Sequence, residues 1–282
     1  MAARFDTADI RRYYDRHTAS FVRYGQGRGS IHRAVWGPGT RNQDEAFHYV
    51  DDRIAELVGA AASQSGDVHV VDLGCGVGES LCYLAGRLPI RGTGITLSPA
   101  QVVMAHRLIT DRGLSARINC IEGDYCQLPD TLPRADLAYA IESFVHGPSP
   151  ERFFAECHRL IKPGGLLVIC DDVRKEATSP EAVNRVEEFK SGWHINTLLE
   201  RDQLLRFARA HGFEHESTTD LTPFLQLGRM RDLAIAASVA VLKWLPFRPE
   251  NYDYVVGGDA LQACLAQGWI GYELTVFRAT TG

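Results

Sequence analysis

The spacing of apolar positions changes along the chain, and the changes mark its elements. Val68–Leu73 is nearly continuous in apolar character up to Asp72 and predicts a buried strand. Similar short runs recur at Gly92–Leu97, Ile118–Glu122, Asp136–Ile141 and Leu166–Cys170. Between them the period becomes helical. Phe47–Ala62 places Val50, Ile54, Leu57 and Val58 on one face, Glu79–Leu88 follows the first strand, and Ser98-Pro99 caps a further helix with proline in its first turn. Glu151–Leu160 is amphipathic until Lys162-Pro163-Gly164-Gly165 ends it. This alternation predicts an α/β fold, an open doubly wound parallel sheet with helices on both faces. Ligands are then expected at the carboxyl ends of the strands. Beyond Asp172 the rhythm breaks, with expected helices at Glu181–Phe189, Glu200–His211 and Phe224–Leu245 and strands at Phe213–Leu221 and Trp269–Phe277.

The first 50 residues differ in character. They are polar, aromatic and arginine-rich, with Arg4, Arg11, Arg12, Arg16, Arg23, Arg28, Arg33 and Arg41. A helix over Asp9–Tyr24 is expected, and Gly25, Gly27, Gly29, Gly37 and Gly39 demand a loop after it. Residues 1–50 read as a lid on a catalytic domain of residues 51–282, with substrate-covering helices within 174–260.

Composition narrows the functional classes. A chain of 282 residues with 45% apolar and 23% charged side chains can bury a substantial core. A formal net charge of −5 argues against nucleic acid as the main partner. Seven cysteines without CxxC spacing imply reduced thiols in a cytoplasmic protein. No secretory leader is expected from the first residues, and the longest apolar run, Leu233–Leu245, is short of the ~20 residues that span a bilayer. A homo-oligomer is compatible with these bounds.

The glycine triplet Gly74, Gly76 and Gly78 directly follows the first strand and precedes a helix. Glycine is required where a turn must adopt positive φ and bring its backbone against a ligand. A dinucleotide fingerprint, GxGxxG, would need its third glycine at position 79, which is glutamate here. A pyrophosphate on that helix N-terminus would meet the wrong charge, so NAD and FAD are disfavoured. The string Asp72-Leu73-Gly74-Cys75-Gly76-Val77-Gly78 resembles the first motif of class I S-adenosylmethionine-dependent methyltransferases. In that family the loop lies against the methionine and ribose parts of the cofactor, whose sulfonium tolerates a carboxylate such as Glu79. The resemblance implies cofactor contacts from Asp72, Gly74, Cys75 and Gly76, and a Rossmann-like sheet of seven strands, the last antiparallel between the fifth and sixth. Cys75 then reads as a small residue beside the cofactor, with a nucleophile as the alternative.

Further strings agree in order. Most such enzymes end the second strand in an acid, whereas Gly94-Ile95-Thr96-Leu97-Ser98-Pro99-Ala100-Gln101 has threonine there and resembles the sterol, cyclopropane fatty acid and isoprenoid subgroup. That implies Thr96, Leu97 and Gln101 at the cofactor, with Gln101 toward the ribose. Glu122-Gly123-Asp124-Tyr125 is similar to the adenine motif, where Asp124 would accept from the exocyclic amine and Tyr125 would offer a ring face. Ile141, closing the fourth strand, completes the set.

Glu142 and His146 follow that strand at its carboxyl end, where a base or charge stabiliser is useful. Ile141-Glu142-Ser143-Phe144-Val145-His146 resembles the string after the fourth strand in sterol, tocopherol, sugar and geranyl diphosphate methyltransferases; for the carbon-methylating members the resemblance implies a glutamate that stabilises a carbocation and then removes a proton. Ring faces attract cations, and Tyr13, Tyr14, Tyr24, Trp36, Phe144, Trp193 and Phe224 are the candidate walls. Ser30–Gly39, containing His32, Arg33 and Trp36, is similar to the lid of bacterial terpene carbon methyltransferases. For a diphosphate acceptor the N-terminal arginines would form the clamp, and Mg2+ would bridge it, although no metal-ligand spacing demands one.

The expected activity is therefore methyl transfer to an isoprenoid-like acceptor, such as a prenyl diphosphate, by carbon methylation with Glu142 as stabiliser and base. Two alternatives stand beside it: oxygen or nitrogen methylation with His146 as base, and a cofactor-binding protein without catalysis.

Overall fold

A computed structural model describes residues 4–24, 32–65, 68–176, 178–230, 235–237, 239 and 252–281. Helix α1 (Thr7–Tyr24) leads to α2 (Gln43–Phe47) and α3 (Tyr49–Ser65), and then β1 (Val68–Leu73), α4 (Glu79–Arg87), β2 (Ile90–Thr96), α5 (Pro99–Asp111), β3 (Ile118–Glu122) and β4 (Ala135–Ile141) follow. After a 3-10 turn at Phe144–His146 come α6 (Pro150–Leu160), β5 (Ile161–Arg174), α7 (Pro180–Gly192), α8 (Arg201–Ala210), β6 (Phe213–Asp220), α9 (Tyr252–Ala266) and β7 (Ile270–Ala279).

The seven strands form one sheet in the order β3-β2-β1-β4-β5-β7-β6. All pairings are parallel except those of β7, which runs antiparallel to β5 and β6. The order reverses between β1 and β4, so their carboxyl ends diverge into a crevice where a ligand can enter. Ile54, Val58, Leu81, Leu84 and Ile109 fill one face of the sheet. Phe153, Phe154, Cys157 and Leu204 fill the other. A third apolar cluster joins α7 to α9 through Val186, Phe189, Ala260, Leu261 and Cys264.

Three expectations need correction. Lys162–Gly165 does not merely end a helix: β5 begins at Ile161 and absorbs the glycines through a register shift against β4. The long helix expected from Phe224 does not start there, because Thr222–Phe224 is a single 3-10 turn followed by non-helical residues, and most of 231–251 lies outside the described residues. Helix α9 was not expected. Its Gly257-Gly258 reads as a breaker, but a Cβ on Gly192 would lie 2.7 Å from the Gly257 Cα and 2.2 Å from the Asp253 carbonyl oxygen. Glycine at both positions lets α7 and α9 cross almost backbone to backbone.

Candidate active site

The site begins where β1 ends. Gly74, Gly76 and Gly78 all take positive φ, 94°, 53° and 79°. The Gly74 and Cys75 amides donate to the Ile95 carbonyl at 2.8 and 2.9 Å, which ties the loop to β2. A Cβ on Gly74 would meet the Ser143 Cβ at 2.4 Å, so only glycine fits between the loop and the segment after β4. Glu79, the first residue of α4, is paired with Arg112 at 2.5 Å. Asp72 is buried and accepts from the Tyr139 hydroxyl at 2.9 Å. Burial pushes its pKa up to about 7, against the pull of that hydrogen bond. The Cys75 thiol faces Cys120 at 3.9 Å, and its hydrogen bond to that neighbour together with burial raises its pKa, which argues against a nucleophile.

Next to the loop, Thr96 donates to the Gln101 Oε1 at 2.6 Å, while the Gln101 Nε2 donates to Thr18 of α1 at 3.0 Å. Ser98 caps α5 and donates to Asp15 at 2.5 Å, so α1 lies across this end of the crevice. Tyr125 is buried, and its hydroxyl donates to the Ser143 carbonyl at 2.6 Å. Asp124 accepts from the Cys126 amide at 2.8 Å as a turn residue and is not on the cavity wall.

On the other side, Glu142 follows β4 with φ 49°, one of two non-glycine residues with positive φ among those described. Such a conformation costs of order 1–3 kcal/mol and concentrates at functional sites. Its Oε1 accepts from the Arg33 amide at 2.8 Å and the Tyr272 hydroxyl at 2.9 Å. The Arg33 guanidinium makes a bidentate pair with Asp172, both bonds 2.7 Å, and sits 4.4 Å from the centre of the Tyr272 ring. Removing Arg33 would leave Asp172 and Glu142 without their cation. Arg33→Met is expected to lower the unfolding free energy by about 3–5 kcal/mol, read from urea denaturation. Asp171 accepts from the amides of Asp172 and Val145, and burial together with the Asp172 charge pushes its pKa well up, towards the neutral acid.

His146 lies nearby. Its Nδ1 is 3.2 Å from the His194 carbonyl, which can only accept, so Nδ1 carries the proton and Nε2 accepts from the Tyr14 hydroxyl at 2.7 Å. Burial brings its pKa down to about 4 and keeps the ring neutral. His32 lies 3.7 Å from Asp51, a buried carboxylate also bonded by His48 at 2.8 Å. Burial opposes charge on both partners, but their mutual attraction carries His32 up to about 9 and Asp51 down to about 2.

These groups surround a cavity of about 590 Å³. Asp72, Gly74, Cys75, Gly76, Thr96, Leu97, Gln101, Tyr125 and Ile141 line it, with Glu142 and His146. Tyr14, His32, Arg33, Trp36 and Trp193 line it too. Phe144 does not: it is buried against Phe153 and Phe154. Phe224 packs against the core under β7, and the Tyr24 side chain lies outside the described residues. The sequence reading missed Thr18, Asp171, Asp172, Tyr272 and the wall built by α9. Only the Asp171-Asp172 pair left a signal, two acids at the carboxyl end of a predicted strand.

The residues fit S-adenosylmethionine. A loop kept free of side chains, a buried carboxylate for a cationic head group and an aromatic side chain lie along one wall. Among the described residues no group of three or more His, Cys, Asp or Glu side chains is placed to hold a metal ion. No described helix is long and apolar enough to cross a membrane, and all seven cysteines are buried and free.

Comparison with known proteins agrees with this geometry. Residues 71–169 match the methyltransferase domain family. The chain is 31% identical over 195 residues to the O-methyltransferase cnsE of Penicillium expansum, covering 68% of each protein. It is 29% identical over 233 residues to 24-methylenesterol C-methyltransferase 2 of Oryza sativa subsp. japonica, covering 79% of this chain and 63% of that protein. Among solved structures, the [4+2]-cyclase SpnF superposes with a TM-score of 0.73 at 26% identity, covering 100% of this chain and 98% of that one. The chain belongs to the class I S-adenosylmethionine-dependent methyltransferases.

Proposed function

We propose that the protein methylates an uncharged, largely apolar, isoprenoid-like acceptor at carbon, with Glu142 as the group that stabilises positive charge and takes the proton. The observation that carries this reading is the placement of Glu142: a carboxylate held in a strained conformation on the cavity wall, next to Ser143, which packs on the glycine loop. Bound S-adenosylmethionine supplies a methyl group on a sulfonium, an electrophile that needs no further activation. Tyr272 and Arg33 orient Glu142 through Oε1, and no hydrogen bond to Oε2 forms among the described residues. Oε2 is thus the oxygen available to charge developing on an alkene and to the departing proton. Tyr14, Trp36 and Trp193 add ring faces to the same cavity.

A diphosphate is not part of this reading. Arg4, Arg11, Arg12, Arg33 and Arg41 each face a carboxylate, Glu187, Glu122, Asp9, Asp172 and Glu45 respectively, while the Arg23 side chain and Arg28 lie outside the described residues. On the cavity wall Arg33 is already paired with Asp172 and lies 3.4 Å from Glu142, so its charge is matched by carboxylates before any phosphate arrives. Magnesium, expected only as a bridge to a diphosphate, drops out with it.

One observation favours a second reading, methylation at oxygen. His146 is neutral with a defined tautomer, and a proton from an acceptor hydroxyl can pass through Tyr14 to Nε2. With its pKa near 4, such a base would keep activity level down to about pH 5. Incubation with methyl-labelled S-adenosylmethionine and a panel of apolar alkenes and alcohols separates the two. A label bonded to carbon supports the first reading, a label on oxygen the second, and an unlabelled isomer would contradict both.

Asp72 is assigned to the α-ammonium of the cofactor. A carboxylate with its folded pKa raised to about 7 contributes stability that is present below about pH 4 and lost as pH rises through 7. A bound cation favours the ionised form and reverses that loss. The rise in Tm caused by S-adenosylmethionine should therefore be larger at about pH 8 than at about pH 6. Asp72→Asn should remove the difference.

A further inference from the structure

Among the buried polar atoms of the cavity wall without a hydrogen-bond partner are the Nε1 of Trp193 and the Oε1 of Gln262, both on its helical side. One can only donate and the other accepts. Trp193 closes the carboxyl end of α7, where its ring stacks on Tyr254 of α9 with centroids 5.7 Å apart and planes at 17°. A Cβ added to Gly258 would lie 3.8 Å from the Trp193 Nε1, so the indole N–H sits over that glycine. Tyr254, Gly258 and Gln262 are spaced four residues apart on α9 and share one face, which places the amide one turn beyond the indole. All three residues line the cavity. Buried donors and acceptors are rarely left unpaired, because a missing partner costs the desolvation of the group.

We propose that Trp193 and Gln262 form a hydroxyl-recognition subsite on the helical wall of the cavity, so that the acceptor is an apolar alcohol. The proposal rests on the small-molecule acceptor reading given above. A hydroxyl accepts from the indole N–H and donates to the amide oxygen, which satisfies both atoms. An ether or ketone can satisfy only the indole, and a hydrocarbon satisfies neither. Gly258 belongs to the subsite as the position where a side chain would cover the indole N–H. The group recognised here meets α7 and α9, whereas Glu142 belongs to the sheet, so one molecule can be anchored at its hydroxyl and methylated elsewhere.

The test is calorimetric binding to the full chain saturated with S-adenosylhomocysteine. The probes are geraniol, farnesol and cholesterol, each compared with its methyl ether. At least one alcohol is expected to bind about tenfold more tightly than its ether. Trp193→Phe keeps the stacked ring and loses the donor, and Gln262→Leu loses the acceptor. Each should bring that ratio close to one by weakening the alcohol and sparing the ether. Gln262→Leu stands alone as the test if Trp193→Phe does not fold. Absence of any alcohol preference in the wild type, or equal weakening of alcohol and ether in the variants, would overturn the subsite. Because the readout is binding alone, a preserved preference keeps the subsite even where a separate turnover assay finds no methyl transfer, a result that would sink the catalytic reading alone.

Discussion

Glu142→Gln is expected to lower turnover by about 10²–10⁴-fold while leaving affinity for S-adenosylhomocysteine unchanged. The substitution keeps the size of the side chain and an oxygen that can still accept from Tyr272 and the Arg33 amide, so the local geometry survives. What disappears is the negative charge and the ability to take a proton. Steady-state kcat together with calorimetric binding of S-adenosylhomocysteine separates the two effects. A comparable loss of affinity would place Glu142 in cofactor binding. Near-normal turnover, paired with a large loss in His146→Asn, would move the chemistry to the Tyr14–His146 pair.

Gly74→Ala is expected to destabilise the fold by on the order of 3 kcal/mol and to abolish cofactor binding. Two costs combine: a φ of 94°, which an L side chain rarely adopts, and a Cβ 2.4 Å from the Ser143 Cβ. Ser143 cannot easily give way, since its hydroxyl donates to the Leu73 carbonyl at 2.5 Å and its own carbonyl accepts from Tyr125. Gly39 provides the comparison. It has a φ of 89° with nothing within 4 Å of an added Cβ, so Gly39→Ala should show only the backbone cost, about 1–2 kcal/mol. Urea unfolding of both variants checks the difference. If the two substitutions cost the same, the loop is not confined by the segment after β4.

The parallel sheet was legible because strands buried on both faces read as short apolar runs, and the glycine loop because a missing side chain is visible in the sequence itself. The position of Glu142 followed from the end of a strand that periodicity identifies. What surrounds it was not legible. Arg33 meets Asp172 across 139 positions of sequence and Tyr272 meets Glu142 across 130, and neither pairing leaves a local trace. The arginine-rich first segment illustrates the same limit: composition suggested an anion clamp but carried no trace of the carboxylates in other elements that pair with Arg4, Arg11 and Arg33. Helix α9 escaped because its glycines serve a helix crossing, a tertiary demand that looks like a breaker when read locally. The edges of β5 were misplaced for a related reason, since glycine within a strand can be absorbed by an irregular register.

A crystal structure of the chain bound to S-adenosylhomocysteine tests the central claim most directly. The account predicts the thioether sulfur beside Gly74 and Gly76, with the Glu142 carboxylate facing it across open cavity and no protein atom between them. Sulfur held away from the glycine loop, or a Glu142 side chain walled off from it, would contradict the account.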